Sequence, residues 1–209
     1  MEMLFSPAAV SPLRAILLAG VLSLGALPNL LSESGPDKEP YALASQFSVV
    51  ETVQVDGGRS LVQHLYRDGE KLRLEIQEGP EMQIVVLRKD QKKIYTILPA
   101  QKLVLESAYR DTGSAANLGL PGESGASWEF QGKETMRGHP STKYLVRGEP
   151  KSVYVWLDEA GQYPLRVAPV DGKTVIDWDQ YQVGPQPSNL FEPPADFRTM
   201  SMNFPDRPR

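Results

Sequence analysis

From about residue 45 onward, apolar side chains recur with period two rather than with the spacing of a helix, and Gly, Pro, Asp and Asn break the pattern at short intervals. That cadence belongs to an antiparallel all-β domain. A parallel sheet would need helices between its strands, and no strand–helix alternation is present. The alternation predicts strands over 45–55, 61–67, 70–77, 82–88, 93–98, 102–106, 126–136, 141–147, 152–158, 163–170 and 173–183. So many strands exceed what a small closed barrel holds, and a large, strongly curved sheet forming an incomplete barrel is expected.

Two hairpins can be built residue by residue. Asp68-Gly69 is a turn signal of type I′, which needs positive φ at both central positions. It pairs Tyr66 with Lys71, Leu65 with Leu72, His64 with Arg73, Gln63 with Leu74 and Leu61 with Ile76. Directly opposed residues share a face, so Leu61, Leu65, Leu72, Leu74 and Ile76 gather on one side and His64, Tyr66, Lys71, Arg73 and Glu75 on the other. Asp171-Gly172 turns the second hairpin, pairing Val167 with Ile176, Leu165 with Trp178 and Arg166 with Asp177. A slip of one residue would expose Trp178 and Ile176 and bury Asp177 and Asp179, so burial reinforces the turn.

Three runs are apolar on both faces: Ile84 to Leu87, Tyr95 to Leu98 and Val153 to Leu157. They should be central strands covered on each side. A short helix at about 37–46 and the Gly- and Ser-rich segment 107–125 are the candidate cover; by its length that segment is either a lid or binding loop or a floppy surface insertion. Prolines at 185, 187, 193, 194, 205 and 208 predict a tail that runs extended over the surface without joining the ladder, pinned by Leu190 and Phe191.

The chain has 209 residues with 22 basic and 26 acidic side chains, a formal charge of −4. That balance argues against nucleic acid, whose phosphates require a basic footprint. The absence of cysteine removes disulfides, thiolate nucleophiles, cysteine zinc sites and a lipid-modified N-terminal cysteine. Arg14 precedes an apolar run, Ala15 to Leu27, that Pro28 interrupts. About 13 residues are too few to span a bilayer and fit the apolar region of a secretory signal. Export is expected, with cleavage after Gly25 or Ser34, or retention as an anchor. The organisation is therefore a leader or anchor over 1–35, one β domain over 36–202 and a loose end over 203–209.

Little in the sequence assembles into catalysis. His64 and His139 read as surface residues without a partner, and two histidines make a poor zinc site. Asp177 and Asp179 alternate on one strand opposite Arg166 and read as a solvent-facing ion pair. No P-loop, Gly-x-Gly-x-x-Gly or Gly-x-Ser-x-Gly motif occurs. No catalytic residue, metal ligand or cofactor is assigned. What remains is the aromatics: Trp128 with Phe130, Tyr154 with Trp156, and Trp178. They either fill the core or, where a bent sheet cannot close over its hollow, line an apolar ligand pocket with Leu65, Leu72, Leu74, Leu165 and Ile176.

Four stretches carry a resemblance: Tyr66 to Glu75, Leu87 to Tyr95, Val155 to Asp158 with Tyr163 to Arg166, and Asn189 to Pro194. In this order they resemble exported bacterial domains of the LolA-like outer-membrane lipoprotein carrier superfamily, particularly DUF4412-type members, over about residues 45–200. The resemblance implies an incomplete, bent antiparallel barrel with an apolar concave face. Relatives of that shape carry lipoprotein acyl chains across the periplasm or sense envelope stress. The expectation is a periplasmic, monomeric, non-enzymatic protein that binds a lipid or lipoprotein acyl chain through Leu65, Leu72, Leu74, Trp128, Leu165, Ile176 and Trp178. The alternative is a module that docks an envelope protein through a sheet edge or the Pro-rich tail.

Overall fold

The computed structural model describes residues 40, 43–55, 58–109, 127–147, 152–161 and 163–202. The leader, most of the proposed 37–46 helix, the body of the 107–125 segment and the end beyond Met202 lie outside the described residues. Residues 43–45 are not helical, and Gln46 already opens a strand.

The strands are β1 (Gln46–Val55), β2 (Arg59–Asp68), β3 (Lys71–Glu78), β4 (Glu81–Arg88), β5 (Lys93–Leu98), β6 (Leu103–Ala108), β7 (Ser127–Met136), β8 (His139–Arg147), β9 (Val153–Asp158), β10 (Pro164–Pro169), β11 (Thr174–Val183) and β12 (Arg198–Met202). They form one open 12-stranded sheet in the order β12-β6-β5-β4-β3-β2-β1-β11-β10-β9-β8-β7. The strands run in chain order through two meanders, β2 to β6 and β7 to β11, and β1 lies between the meanders, pairing with β2 on one side and β11 on the other. The sheet curls. Arg137, in the β7–β8 turn, reaches Asp179 on β11 at 2.7 Å although β9 and β10 separate β8 from β11. In a flat sheet those strands would stand about 14 Å apart at ~4.8 Å per step.

The turns explain the registers. At the first hairpin Leu65 opposes Leu74, and Asp68 opposes Lys71. The pairing is thus shifted by two residues from the one expected, because Gly69-Glu70 forms the loop instead of Asp68-Gly69. Gly69 has φ +61 and Glu70 is not among the positive-φ residues, which excludes type I′ and matches the demand of a type II′ turn. A shift of two preserves the faces, so Leu65, Leu72, Leu74 and Ile76 are still buried together. The second hairpin keeps the expected pairs, Arg166 with Asp177 and Val167 with Ile176. Type I′ geometry occurs instead at Arg137-Gly138, with φ of 51° and 87°.

Both faces of the sheet are packed. The inner face buries Phe47, Val49, Leu65, Leu72, Leu74, Leu87, Val155, Ile176 and Trp178 among others. On β4 the two-faced run divides as its sequence requires: Leu87 joins the inner cluster, whereas Ile84 and Val86 join an outer cluster with Tyr95, Ile97, Val104 and Phe191. The cover on that outer face is the C-terminal segment. A short 3-10 turn, Ser188–Phe191, seats the fully buried Phe191 against the sheet. Arg73 donates to the Leu190 carbonyl at 2.8 Å, and Arg88 donates to the Phe191 carbonyl at 3.3 Å while pairing with Asp90 and Glu192.

The tail differs from expectation beyond this anchor. It does join the ladder: β12 runs parallel to β6, Arg198 opposite Leu103 and Met202 opposite Ser107. A proline removes a donor only at its own position, and residues 195–204 contain none, so the stretch between Pro194 and Pro205 is free to pair.

Phe191 is the fully buried side chain that the C-terminal segment adds to the outer cluster. Phe191→Ala is expected to lower stability by about 3 to 5 kcal/mol. Urea unfolding followed by far-UV circular dichroism checks this.

Candidate functional site

The inner face is where the sequence-derived site residues fall. Leu65, Leu72, Leu74, Trp128, Ile176 and Trp178 are all buried in one continuous cluster that draws on β1 to β4 and β7 to β11. Leu165 is buried too but stands apart from that cluster. It occupies an irregularity of the β9–β10 ladder: Pro164 opposes Leu157 and Arg166 opposes Trp156, so Leu165 is the extra residue. Period-two counting sets it opposite Trp178, which is the register that Arg166–Asp177 and Val167–Ile176 keep between β10 and β11.

A second irregularity adds residues that counting missed. Between Ser48 and Val50 the partner strand advances from Gln182 to Asp179, leaving Gln180 and Tyr181 opposite one residue, Val49. Gln180 has φ +53, and this bulge turns Tyr181 to the side of Trp178. Tyr181 then stacks on Tyr163 with ring centroids 4.7 Å apart, lies 5.9 Å from Trp178 and 5.2 Å from Phe47. Four rings line one region of the hollow.

At the middle of this apolar surface sits a polar pair. Glu51 on β1 opposes Gln63 on β2 and Trp178 on β11. Glu51 is 4% exposed and so is Gln63. The Gln63 Nε2 amide donates to Glu51 Oε2 at 2.5 Å, and the Trp178 indole also hydrogen-bonds the carboxylate. Both bonds favour the ionised form, yet burial outweighs them and pushes the Glu51 carboxyl up to about 7. Gln63 Oε1 is buried without a hydrogen-bond partner among the described residues. An orphaned buried acceptor costs on the order of 1 to 3 kcal/mol. A sequence signal for the pair exists: Glu51 interrupts the series Phe47, Val49, Val53, and Gln63 interrupts Leu61 and Leu65.

The charged groups singled out in the sequence do other work. His64 is exposed and opposes Glu75 and not Arg73. His139 has a partner after all, its Nδ1 lying 3.0 Å from Asp158 Oδ2. The other Asp158 oxygen accepts from the backbone N–H groups of Ala160 and Gly161, both at 2.7 Å, which ties the pair to the β9–β10 turn. The neighbouring Ser141 hydroxyl is committed to the Glu134 carbonyl at 2.9 Å. Asp177 is buried, not solvent-facing, and Arg166 grips it through two bonds of 2.6 and 2.8 Å. Asp179 belongs to Arg137. Among the described residues no group of acidic or histidine side chains has the arrangement of a metal site.

The outer face carries an open groove of about 460 Å³ lined by Leu145, Arg147, Ser152, Tyr154, Val170 and Asp171. Next to it the Lys143 ammonium lies 4.3 Å from the Tyr154 ring centre and 4.7 Å from that of Trp156. Arg147 is held by Glu129 at 2.7 Å.

An open, curved, almost wholly antiparallel sheet with a continuous apolar inner face is thus the class of molecule. No protein-family model matches the sequence, and no curated protein does. Solved structures do. An uncharacterised conserved protein from Thermus thermophilus aligns over 77% of this chain and 92% of its own, with TM-score 0.57 and 14% identity. MucB in the Pseudomonas aeruginosa MucA/MucB complex aligns over 75% of this chain with TM-score 0.48 and 15% identity; this chain spans 58% of that one. A LolA superfamily protein from Nitrosomonas europaea aligns over 74% of this chain and 92% of its own, with TM-score 0.35 and 12% identity. The Thermus likeness is one of fold.

Glu51 generates a pH signature. Its carboxyl titrates at about 7 when folded, against an ordinary 4.5. The folded state therefore holds a proton that the unfolded state has released across that window. Stability is full below about pH 4.5 and is lost as pH rises through about 7, by on the order of 3 kcal/mol. Chemical denaturation at pH values on either side should show this loss in the wild type and its absence in Glu51→Gln.

Proposed function

We propose that the protein is an exported, non-enzymatic binder of an apolar ligand, a lipid or a lipoprotein acyl chain, held in the hollow of the curved sheet. The observation that carries this reading is the single apolar surface that runs along the inner face from β4 to β7, with four aromatic rings gathered at one part of it. A surface of that kind holds acyl chains by burial alone, at ~0.8 kcal/mol per methylene, without hydrogen-bond complementarity. Leu65, Leu72, Leu74, Trp128, Ile176 and Trp178 would form its wall, and Leu165 would support the wall from the β10 bulge. The LolA-like order of strand and turn motifs supports the same ligand class, and the apolar run before residue 28 supports export to the periplasm.

One observation favours a second reading. β7 stands at the end of the strand order with β8 as its single ladder partner among the described residues, and Phe130 on it is 60% exposed. Such an edge can accept an extended segment of an envelope protein. The Pro-rich tail offers no equivalent, because β12 is already paired with β6.

The two readings separate in a binding experiment. An environment-sensitive naphthalene dye should bind the purified protein saturably, and Leu74→Ala and Trp178→Ala should each weaken binding by about tenfold, as lost burial of one large side chain implies. Circular dichroism controls for the stability these truncations cost. Absence of dye binding by a folded protein favours the sheet edge.

A further inference from the structure

The polar pair in the hollow is not explained by packing. Buried glutamates are rare unless paired with a cation, and among the described residues Glu51 has only the neutral donors Gln63 and Trp178. A methionine or leucine at either position would continue the apolar series of its strand. Instead β1 and β2 each place a polar side chain at the same point, directly opposed, on the face that gathers Phe47, Val49, Val53 and Leu65.

Nor does the pair satisfy itself. With the amide nitrogen of Gln63 on the carboxylate, Oε1 is left without a donor among the described residues. Turning the amide would set its oxygen against an ionised carboxylate, and against a protonated one it would strand both amide hydrogens instead. The missing component is a hydrogen-bond donor. A second acceptor would add repulsion, and a purely apolar group would leave the deficit in place.

Resting on the hollow as ligand site, we infer that Glu51 and Gln63 form a head-group subsite selecting amphiphiles that carry a hydrogen-bond donor, such as an amide N–H or a hydroxyl, over those that offer only acceptors. The apolar wall then holds the chain and the pair sets its depth, with the donor shared between Gln63 Oε1 and the Glu51 carboxylate. Specificity of this kind comes from the buried polar groups left unmatched by the wrong ligand, not from the chain.

The test compares two lipids with one chain. Oleamide carries amide N–H donors; methyl oleate has only acceptors. Each is titrated against the bound naphthalene dye on the full-length protein. Oleamide should displace the dye about tenfold more effectively than methyl oleate, the scale of one hydrogen bond at a buried acceptor. Gln63→Met should close that gap. Glu51→Gln, which is isosteric, should also shrink it, because the new amide can donate to Gln63 Oε1 from within. Equal displacement by the two lipids in the wild type, which requires no substitution, overturns the subsite. A preference that survives undiminished in both variants overturns its placement at this pair. Displacement by neither lipid overturns the hollow as the ligand site and this inference with it.

Discussion

β1 has two partners, and the architecture depends on that. Through β2 it joins the meander that runs to β6, and through β11 it joins the meander that runs to β7. Without the β1–β11 ladder there would be two smaller sheets, each with an exposed edge and an uncovered apolar face. With it the inner cluster becomes continuous from Leu87 on β4 to Trp128 on β7. The ladder is also where the sheet bends, since the bulge at Gln180 increases local twist and aims Tyr181 into the hollow. Glu51 lies between Trp178 and Gln63 at the midpoint of this seam, so the same strand that unites the fold carries its most unusual side chain.

A single sheet has two faces to cover, and the molecule treats them differently. The outer face of β4 to β6 is closed by the segment around Phe191, and arginines on β3 and β4 fasten it by its backbone carbonyls. Carbonyl contacts hold a strap in place whatever its side chains are, while Phe191 supplies the apolar burial. The inner face depends on curvature, which draws distant strands together, as the Arg137–Asp179 pair does at one rim. The outer face thus has a fixed cover, and the inner face buries its side chains against one another by curvature.

Stability and function pull against each other at Glu51. Burial raises its carboxyl toward neutrality and leaves Gln63 with an unmet acceptor, both of which an apolar pair would remove. Elsewhere the buried charges are well matched: Asp177 has the bidentate Arg166, and Arg88 has Asp90 and Glu192. A molecule that pairs its buried ions so thoroughly at structural positions but not in the hollow concentrates its polar deficit where a ligand would lie.

The all-β class, the span of eleven strands and the burial of Leu65, Leu72, Leu74, Ile176 and Trp178 were legible in the sequence, because side-chain alternation and glycine turns are local and a register error of two residues leaves the faces unchanged. Tertiary structure alone decided the rest. Which strands meet across the seam depends on contacts between residues far apart in the chain. The bulge at Gln180 that brings Tyr181 beside Trp178 breaks the period that counting relies on. Proline content misplaced the tail, since a ladder needs donors only at particular positions, and β12 finds them between its prolines. Glu51 and Gln63 were visible one at a time as breaks in two apolar series. Only the pairing of β1 with β2 shows them to be one site, because strand register is set by the whole sheet and not by either strand.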